Sequence, residues 1–141
     1  MVDSIDQAAR SALMSRIRGK NTRPELIVRK LVYAAGYRYR LHVRKLPGSP
    51  DLVFAGRKKV IFVHGCFWHL HDNCKGARIP KTRVEFWREK LHGNKLRDER
   101  TAETLRLAGW DVLVVWECKL SDLAALEDCI CAFLGPNSRV L

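Results

Sequence analysis

The chain has 141 residues, of which 47% are hydrophobic, so it suits one globular domain with a single core and is not a disordered segment. Its apolar runs are too short to cross a bilayer, and its first residues carry acids without an apolar core, which argues against a secretory signal and for the cytoplasm. The net charge of +11 is spread along the chain, which favours nucleic acid over a membrane surface as the partner.

The first half of the chain is predicted to form two helices and then three strands. Residues 5–17 carry apolar side chains at helical spacing. In the second helix, Thr22 and Glu25 have the spacing of a capping box, and Gly36 marks the end. The predicted strands follow at residues 37–43, 51–56 and 58–65, with the turn PGSP between the first two.

The second half is predicted to form a long polar helix, a buried strand and a final helix. These elements cover residues 81–109, with a break near Gly93, then 110–118 and 121–135. Cys129 and Cys131 fall in the pattern of the last helix and are assigned to packing. The order α-α-β-β-β-α-β-α predicts one α/β domain over residues 1–141, with a mixed central sheet of about four strands flanked by helices.

The segment VHGCFWHLHDNC, residues 63–74, places two cysteines and three histidines in one loop. Structural zinc sites use four nitrogen or sulfur ligands, and an odd number of cysteines without a signal sequence favours metal over disulfides. The candidate ligands are Cys66, His71, Cys74 and Cys118. Two alternatives stay open, because some of these thiols could be buried packing groups and His69 could replace His71.

A second candidate site lies where the turn PGSP meets the next strand. Asp51 opens that strand directly after a proline, so its carboxylate is expected at the end of the sheet. If the following strand returns antiparallel, His64 comes back near that end, and a carboxylate with a backbone carbonyl would form a seat for Mg²⁺. Glu25 could add a carboxylate, although its place in a capping box explains it equally. His64 and His69 remain available to deprotonate a water.

PGSPD before an apolar strand, GCFWH after it, and TRVEFWREK and GWDVLVVWEC beyond it resemble the very-short-patch-repair endonucleases. These belong to the superfamily of nucleases with a Pro-Asp metal-binding core, and the resemblance covers residues 11–118 in order. It implies a restriction-endonuclease-like core and Mg²⁺-dependent nicking of one DNA strand beside a T:G mismatch, the product of deaminating a methylated cytosine. Mismatch-repair proteins as further partners and a monomeric state are family expectations.

The resemblance also implies roles for individual residues. Asp51 and the carbonyl of Val63 would hold Mg²⁺, while His64 and Glu25 would hold its waters and the phosphate. His69 would be the general base, oriented by Asp98, which leaves His71 for the structural zinc site.

Aromatic side chains would wedge into the duplex beside the mismatch, and other residues would contact the DNA around it. The expected DNA contacts are Phe67, Trp68, Trp87, Met14, Ile17, Lys90 and Asn94. Met14 and Ile17 would lie on a DNA-clamping helix formed by residues 1–20. Two other functions were weighed. One is a restriction- or homing-type nuclease of the same superfamily, and the other is a non-catalytic, zinc-stabilised DNA-binding module. The candidate acid and base residues around a metal site argue against the DNA-binding module, because a protein that only binds DNA does not need them.

Overall fold

The computed structural model describes residues 22–72, 74 and 78–136, which form a four-stranded sheet packed against helices. The helices are α1 (Arg23–Ala34), α2 (Val84–Leu107) and α3 (Leu123–Leu134). The strands are β1 (Arg40–Leu41), β2 (Leu52–Phe54), β3 (Lys59–His64) and β4 (Asp111–Trp116). The helix predicted at residues 5–17, with Met14 and Ile17, lies outside the described residues.

The strands follow one another in the sheet in the order β1-β2-β3-β4. The first two pairs are antiparallel, and β3 and β4 are parallel, joined by α2. This mixed four-stranded sheet confirms the predicted α/β class. No helix in the described part of the chain is both long enough and apolar enough to cross a membrane.

Two clusters of buried side chains lie on opposite faces of the sheet, because successive strand residues point to opposite sides. On one face, Leu52 and Ile61 pack against α1 and α3, whose buried residues are Val28, Val32, Leu126, Ile130 and Leu134. On the other face, Val53 and Val60 pack against Leu105 of α2. The sheet is therefore rigid at its centre, and the candidate functional residues lie at the end where β3 and β4 finish.

Three local predictions were wrong. The strand predicted at residues 37–43 is reduced to Arg40–Leu41, because His42 adopts a left-handed conformation (φ 47°) that ends the extended run. Helix α2 continues through Gly93, because a glycine inside a helix costs only about 1 kcal/mol relative to alanine. Cys129 is exposed rather than packed, because it lies off the stripe that α3 buries, whereas Cys131 does pack against the core.

Candidate active site

A tight turn places Asp51 at the end of the sheet. Gly48 adopts φ +74°, and a Cβ there would lie 2.5 Å from the Cγ2 atom of Thr101 on α2, so the backbone passes too close to α2 for a side chain. Pro50 is buried, and Oδ2 of Asp51 accepts a hydrogen bond of 2.6 Å from the main-chain N–H of Val63. The antiparallel return predicted for β3 is confirmed, and it brings the end of β3 beside Asp51.

The same register explains why the Val63 carbonyl faces this site. Leu52 pairs with Ile61, so two further steps along the two strands set Pro50 opposite Val63. The N–H and C=O of one strand residue point to the same side, so the Val63 carbonyl shares the side of its N–H, toward Asp51. Pro50 has no N–H to donate to that carbonyl. The Pro-Asp pair therefore removes a backbone donor and supplies a carboxylate at the same point.

Glu25 brings a second carboxylate to Asp51. It is 4% exposed and lies on the stripe of α1 that also buries Val28, while its N–H donates to Thr22 across the predicted helix cap. Its Oε2 accepts from Nη2 of Arg29 at 2.6 Å. Burial foremost, and then a hydrogen bond with Glu25, raise the pKa of Asp51 to about 8. Two buried carboxyl groups in contact need a proton or a cation between them, and oxygen donors of this kind fit a hard divalent cation.

His42 also lies at this carboxylate pair, and the sequence analysis missed it. Its Nε2 is 3.2 Å from Oε2 of Glu25, and its Nδ1 is 3.9 Å from Oδ1 of Asp51. One potential ligand atom from each of the three residues lies within 4.8 Å of the others. The short distance in sequence to PGSPD was the one signal that could have suggested it.

A histidine–aspartate pair lies beside the carboxylates. Nδ1 of His69, in the loop after β3, makes a short hydrogen bond with Oδ2 of Asp98 on α2. The ring of His64 stacks on that of His69, with centroids 3.8 Å apart and planes 5° from parallel. Burial, together with the charge of His69, lowers the pKa of His64 to about 4, so the His64 ring is neutral at pH 7. Since Nδ1 of His69 faces a carboxylate, its Nε2 is left to accept a proton.

The four predicted zinc ligands come together, and His71 rather than His69 lies among the thiols. One ligand atom from each of Cys66, His71, Cys74 and Cys118 lies within 4.8 Å of the others. Nδ1 of His71 is 3.6 Å from Sγ of Cys66 and 3.4 Å from Sγ of Cys118. Zn–S bonds of about 2.3 Å and Zn–N bonds of about 2.0 Å at a tetrahedral angle require S···N separations of about 3.5 Å. The residues therefore fit a tetrahedral metal.

This thiol cluster encloses the loop that carries the candidate base. Cys66 and His71 bracket Phe67, Trp68 and His69 in sequence, and Cys118 follows β4, so a metal here would join the loop to the neighbouring strand. Backbone bonds from the His69 N–H to Gly65 and from the His71 N–H to Cys66 fold the loop into a compact turn. Burial raises the pKa of the Cys66 thiol to about 12, which a bound cation would counteract.

An aromatic cluster forms the rim of the same cleft. Phe67 packs edge-on against Trp68 and Trp87, with ring centroids 5.1 and 5.5 Å apart, and all three rings are partly exposed. Asn94, one of the expected DNA contacts, donates to the carbonyl of Trp68 at 3.1 Å and so holds the loop against α2. Lys90 lies between Trp87 and Asn94 on α2 and is half-buried.

A cleft of about 520 Å³ connects these groups. Its lining includes both carboxylates, the histidine–aspartate pair, the stacked His64 and two rim aromatics: Glu25, Asp51, His69, Asp98, His64, Phe67 and Trp68. Thr101 and Arg97 of α2 complete the wall on that side. Paired carboxylates and a candidate base in one cleft, on a chain with a net charge of +11, are the features that a nuclease needs.

Comparisons with known proteins identify the kind of nuclease. Residues 2–75 match the family described as DNA mismatch endonuclease Vsr. The chain is 48% identical to the type II nicking enzyme V.XorIIP of Xanthomonas oryzae pv. oryzae over 97% of this chain and 100% of that protein. It is 42% identical to the DNA mismatch endonuclease Vsr of Escherichia coli, over 91% of this chain and 81% of that protein. It is 41% identical to the type II nicking enzyme V.NmeAIP of Neisseria meningitidis, over 91% of both.

The chain therefore belongs to the Vsr family of DNA mismatch endonucleases. It is a hydrolase of the nuclease class, acting on DNA.

Proposed function

We propose that the chain nicks one strand of duplex DNA at T:G mismatches and hydrolyses the phosphodiester next to the mismatched T. This reaction would begin the repair of deaminated 5-methylcytosine. The observation that carries the proposal is that one cleft contains the Glu25–Asp51 pair, the His69–Asp98 pair and two aromatics of the rim, Phe67 and Trp68. The names of the relatives, a mismatch endonuclease and type II nicking enzymes, support single-strand cleavage.

The proposed role of His69 is to take a proton from the attacking water. Its Nδ1 is engaged by Asp98, which favours the tautomer with a free Nε2 and stabilises the ring when it becomes positively charged. His64 is neutral at pH 7, so it adds no second positive charge beside His69 at that moment. It can therefore stack on the base and hold a water or phosphate oxygen through its ring nitrogens.

Asp51 and the carbonyl of Val63 are proposed to hold Mg²⁺, with Glu25 and His64 holding its waters and the phosphate. The oxygen-rich donor set and the raised pKa of Asp51 support a hard divalent cation at this position. When bound, Mg²⁺ supplies charge that polarises the scissile phosphate and stabilises the leaving oxygen. The chain's own contribution is to fix the carboxylate through the Val63 N–H and the helix α1.

Zinc is proposed at Cys66, His71, Cys74 and Cys118 as a structural cofactor. The S···N separations support it, because they match those of a tetrahedral zinc site. Four protein ligands leave no open position for substrate, so this metal would stabilise the loop without taking part in hydrolysis.

The proposed DNA interface combines charge with the aromatic rim. Phe67, Trp68 and Trp87 would wedge beside the T:G pair, because a wobble pair is deformed at lower cost than a matched pair. The other proposed contacts are Met14, Ile17, Lys90 and Asn94. The net charge of +11 supports phosphate binding by the surrounding surface. Contact with mismatch-repair proteins, a monomeric state and a cytoplasmic location stay predictions.

The experiment that tests this function uses end-labelled duplexes differing in one pair, T:G against C:G, with Mg²⁺ and with EDTA. A Mg²⁺-dependent nick in the T-containing strand of the mismatch alone supports the proposal. Equal cutting of both duplexes would favour the restriction-type alternative. Binding without cleavage across several flanking sequences would favour the zinc-stabilised binding module.

A further inference from the structure

His42 lies in the proposed cation seat, between the two carboxylates. Its side chain is 15% exposed and lies between Glu25 and Asp51, at 3.2 and 3.9 Å from their nearest carboxylate oxygens. It comes from the segment after β1, whereas the carboxylates come from α1 and from the start of β2. The ring thus contacts side chains from two other elements of the fold at the point where the cation would bind.

Arg29 determines which nitrogen of the ring carries the proton. Its Nη2 lies 3.0 Å from Nε2 of His42 and donates to Oε2 of Glu25 at 2.6 Å. A guanidinium group has donors and no acceptor, so Nε2 must accept in this contact. With Nε2 accepting, a single ring proton lies on Nδ1, the nitrogen that faces Oδ1 of Asp51. The ring is then linked to Glu25 through the Arg29 Nη2 group that donates to both.

The two oxygens of Asp51 then have donors on both sides. The Val63 N–H holds Oδ2 at 2.6 Å, while Nδ1–H of His42 faces Oδ1. At 3.9 Å this second contact is longer than a hydrogen bond and acts electrostatically.

The backbone of His42 supports a dedicated role for this side chain. Its φ of 47° lies in the left-handed region, which side-chain-bearing residues rarely adopt, although histidine and asparagine do so more readily than most. This conformation ends β1 and turns the ring into the site instead of along the strand. A residue that fits both the backbone and the hydrogen bonds is needed here.

We propose that His42 is a positioning residue for the cation seat, holding Glu25 and Asp51 in the arrangement that binds a divalent cation without ligating it. The proposal rests on the proposed function, because it requires a cation at Asp51. Residues of this kind, which hold metal ligands in place, commonly contribute about 10- to 100-fold to metal affinity.

The test is a Mn²⁺ titration of the zinc-loaded protein, with the free Mn²⁺ signal followed by electron paramagnetic resonance. His42→Gly removes the ring at a backbone conformation (φ 47°) that glycine adopts without strain, and it should weaken Mn²⁺ binding about 10- to 100-fold. His42→Asn keeps a side-chain N–H and tolerates the backbone, and it should remain within a few-fold of the parent. Lys58→Gly is the matched control, because Lys58 has φ 57° at the other end of β3.

Several outcomes would overturn the proposal. Equal Mn²⁺ affinity in His42→Gly, Lys58→Gly and the parent would mean that the ring does not support the seat. A directly bound nitrogen on Mn²⁺ that disappears in His42→Asn would make His42 a ligand; this measurement begins with the parent protein and does not depend on whether the glycine variant folds. If Asp51→Asn leaves Mn²⁺ affinity unchanged, the seat itself is wrong and the proposed function fails with it.

Discussion

The imidazole rings of His64 and His69 stack face to face, with centroids 3.8 Å apart and planes 5° from parallel. His64 ends β3, and His69 follows within the loop bracketed by Cys66 and His71. The stack therefore fixes a loop residue against a rigid strand. Asp98 of α2 is hydrogen-bonded to Nδ1 of His69. Strand β3, the loop after it and α2 therefore together determine where the candidate base lies.

Replacement of that base should remove most of the nicking activity. His69→Ala should lower the single-turnover rate about 10²- to 10⁴-fold, because no other group would accept the proton from water at that position. Asp98→Asn should have a smaller effect, since it leaves the imidazole in place but no longer stabilises its charged form. His92→Ala, on the exposed face of α2, is the matched control and should react at the parent rate. A His69→Ala protein with unchanged rates would show that the base lies elsewhere.

Loss of one thiol ligand should release zinc and destabilise the fold. Cys118→Ser should lower the free energy of unfolding by more than about 3 kcal/mol, or about 10 °C in Tm, because metal binding and folding are coupled. Cys129→Ser is the control, since this exposed thiol lies outside the cluster. Zinc content by atomic absorption and thermal melting measure both effects. A Cys118→Ser protein with parental zinc content and Tm would contradict the site.

The raised pKa of Asp51 predicts a pH dependence with a defined sign. The pKa is raised from 3.8 to about 8, so this group's stabilising contribution to the cation-free protein is complete below about pH 4 and is lost as the pH rises to about 8. Stability should therefore fall by at most about 1.4 kcal/mol per pH unit from this group.

Cation binding should have the opposite pH dependence, since the cation competes with the proton on the carboxyl pair. Mg²⁺ or Mn²⁺ affinity should rise between pH 6.5 and 8 and then level off. The range above pH 6.5 excludes the titration of His64, whose pKa is lowered to about 4. Asp51→Asn should remove this group's contribution to the pH slope of stability, which denaturant unfolding at several pH values measures. An affinity independent of pH in the parent protein would mean that Asp51 is already ionised without the cation.

The aromatic rim should determine mismatch selectivity more than affinity for DNA in general. Trp68→Ala should reduce nicking of T:G duplexes about 10- to 100-fold, because insertion of side chains between base steps depends on the ring surface. Binding to a fully paired duplex should change little, since phosphate contacts supply it. Tyr33→Ala, an aromatic residue 55% exposed on α1, is the control. Equal losses on matched and mismatched duplexes would contradict a wedge.

The sheet and most of its helices could be predicted because their signals are local. The β-branched run of β4 and the cap at Thr22 each carry their information within a few residues. The short length of the edge strand β1 could not be predicted, because the positive φ of His42 depends on contacts with Glu25 and Arg29 from another element. For the same reason, His42 was not predicted at the carboxylate pair, because its closeness to PGSPD in sequence is too weak a signal by itself.

Some features of the candidate site could likewise be predicted from the sequence, and others could not. Convergence of the zinc ligands was predictable from cysteines and histidines clustered in one loop, with Cys118 at a strand end. The approach of Val63 to Asp51 followed from the antiparallel return of β3. Asp98, by contrast, is one of several charged residues on a long polar helix, and its pairing with His69 depends on how α2 packs across the sheet. Family resemblance suggested that pairing, and the residue's own sequence context did not.

The most direct test of the account is Asp51→Asn assayed for binding and nicking on one strand-labelled T:G duplex with Mg²⁺. The substitution keeps the shape of the side chain and removes the charge that holds the cation, so nicking should fall by about 10³-fold or more. Binding to the duplex should stay within a few-fold of the parent. Asp111→Asn, at an exposed aspartate at the start of β4, should nick at the parent rate. Parental nicking by Asp51→Asn would show that hydrolysis does not take place at this cleft.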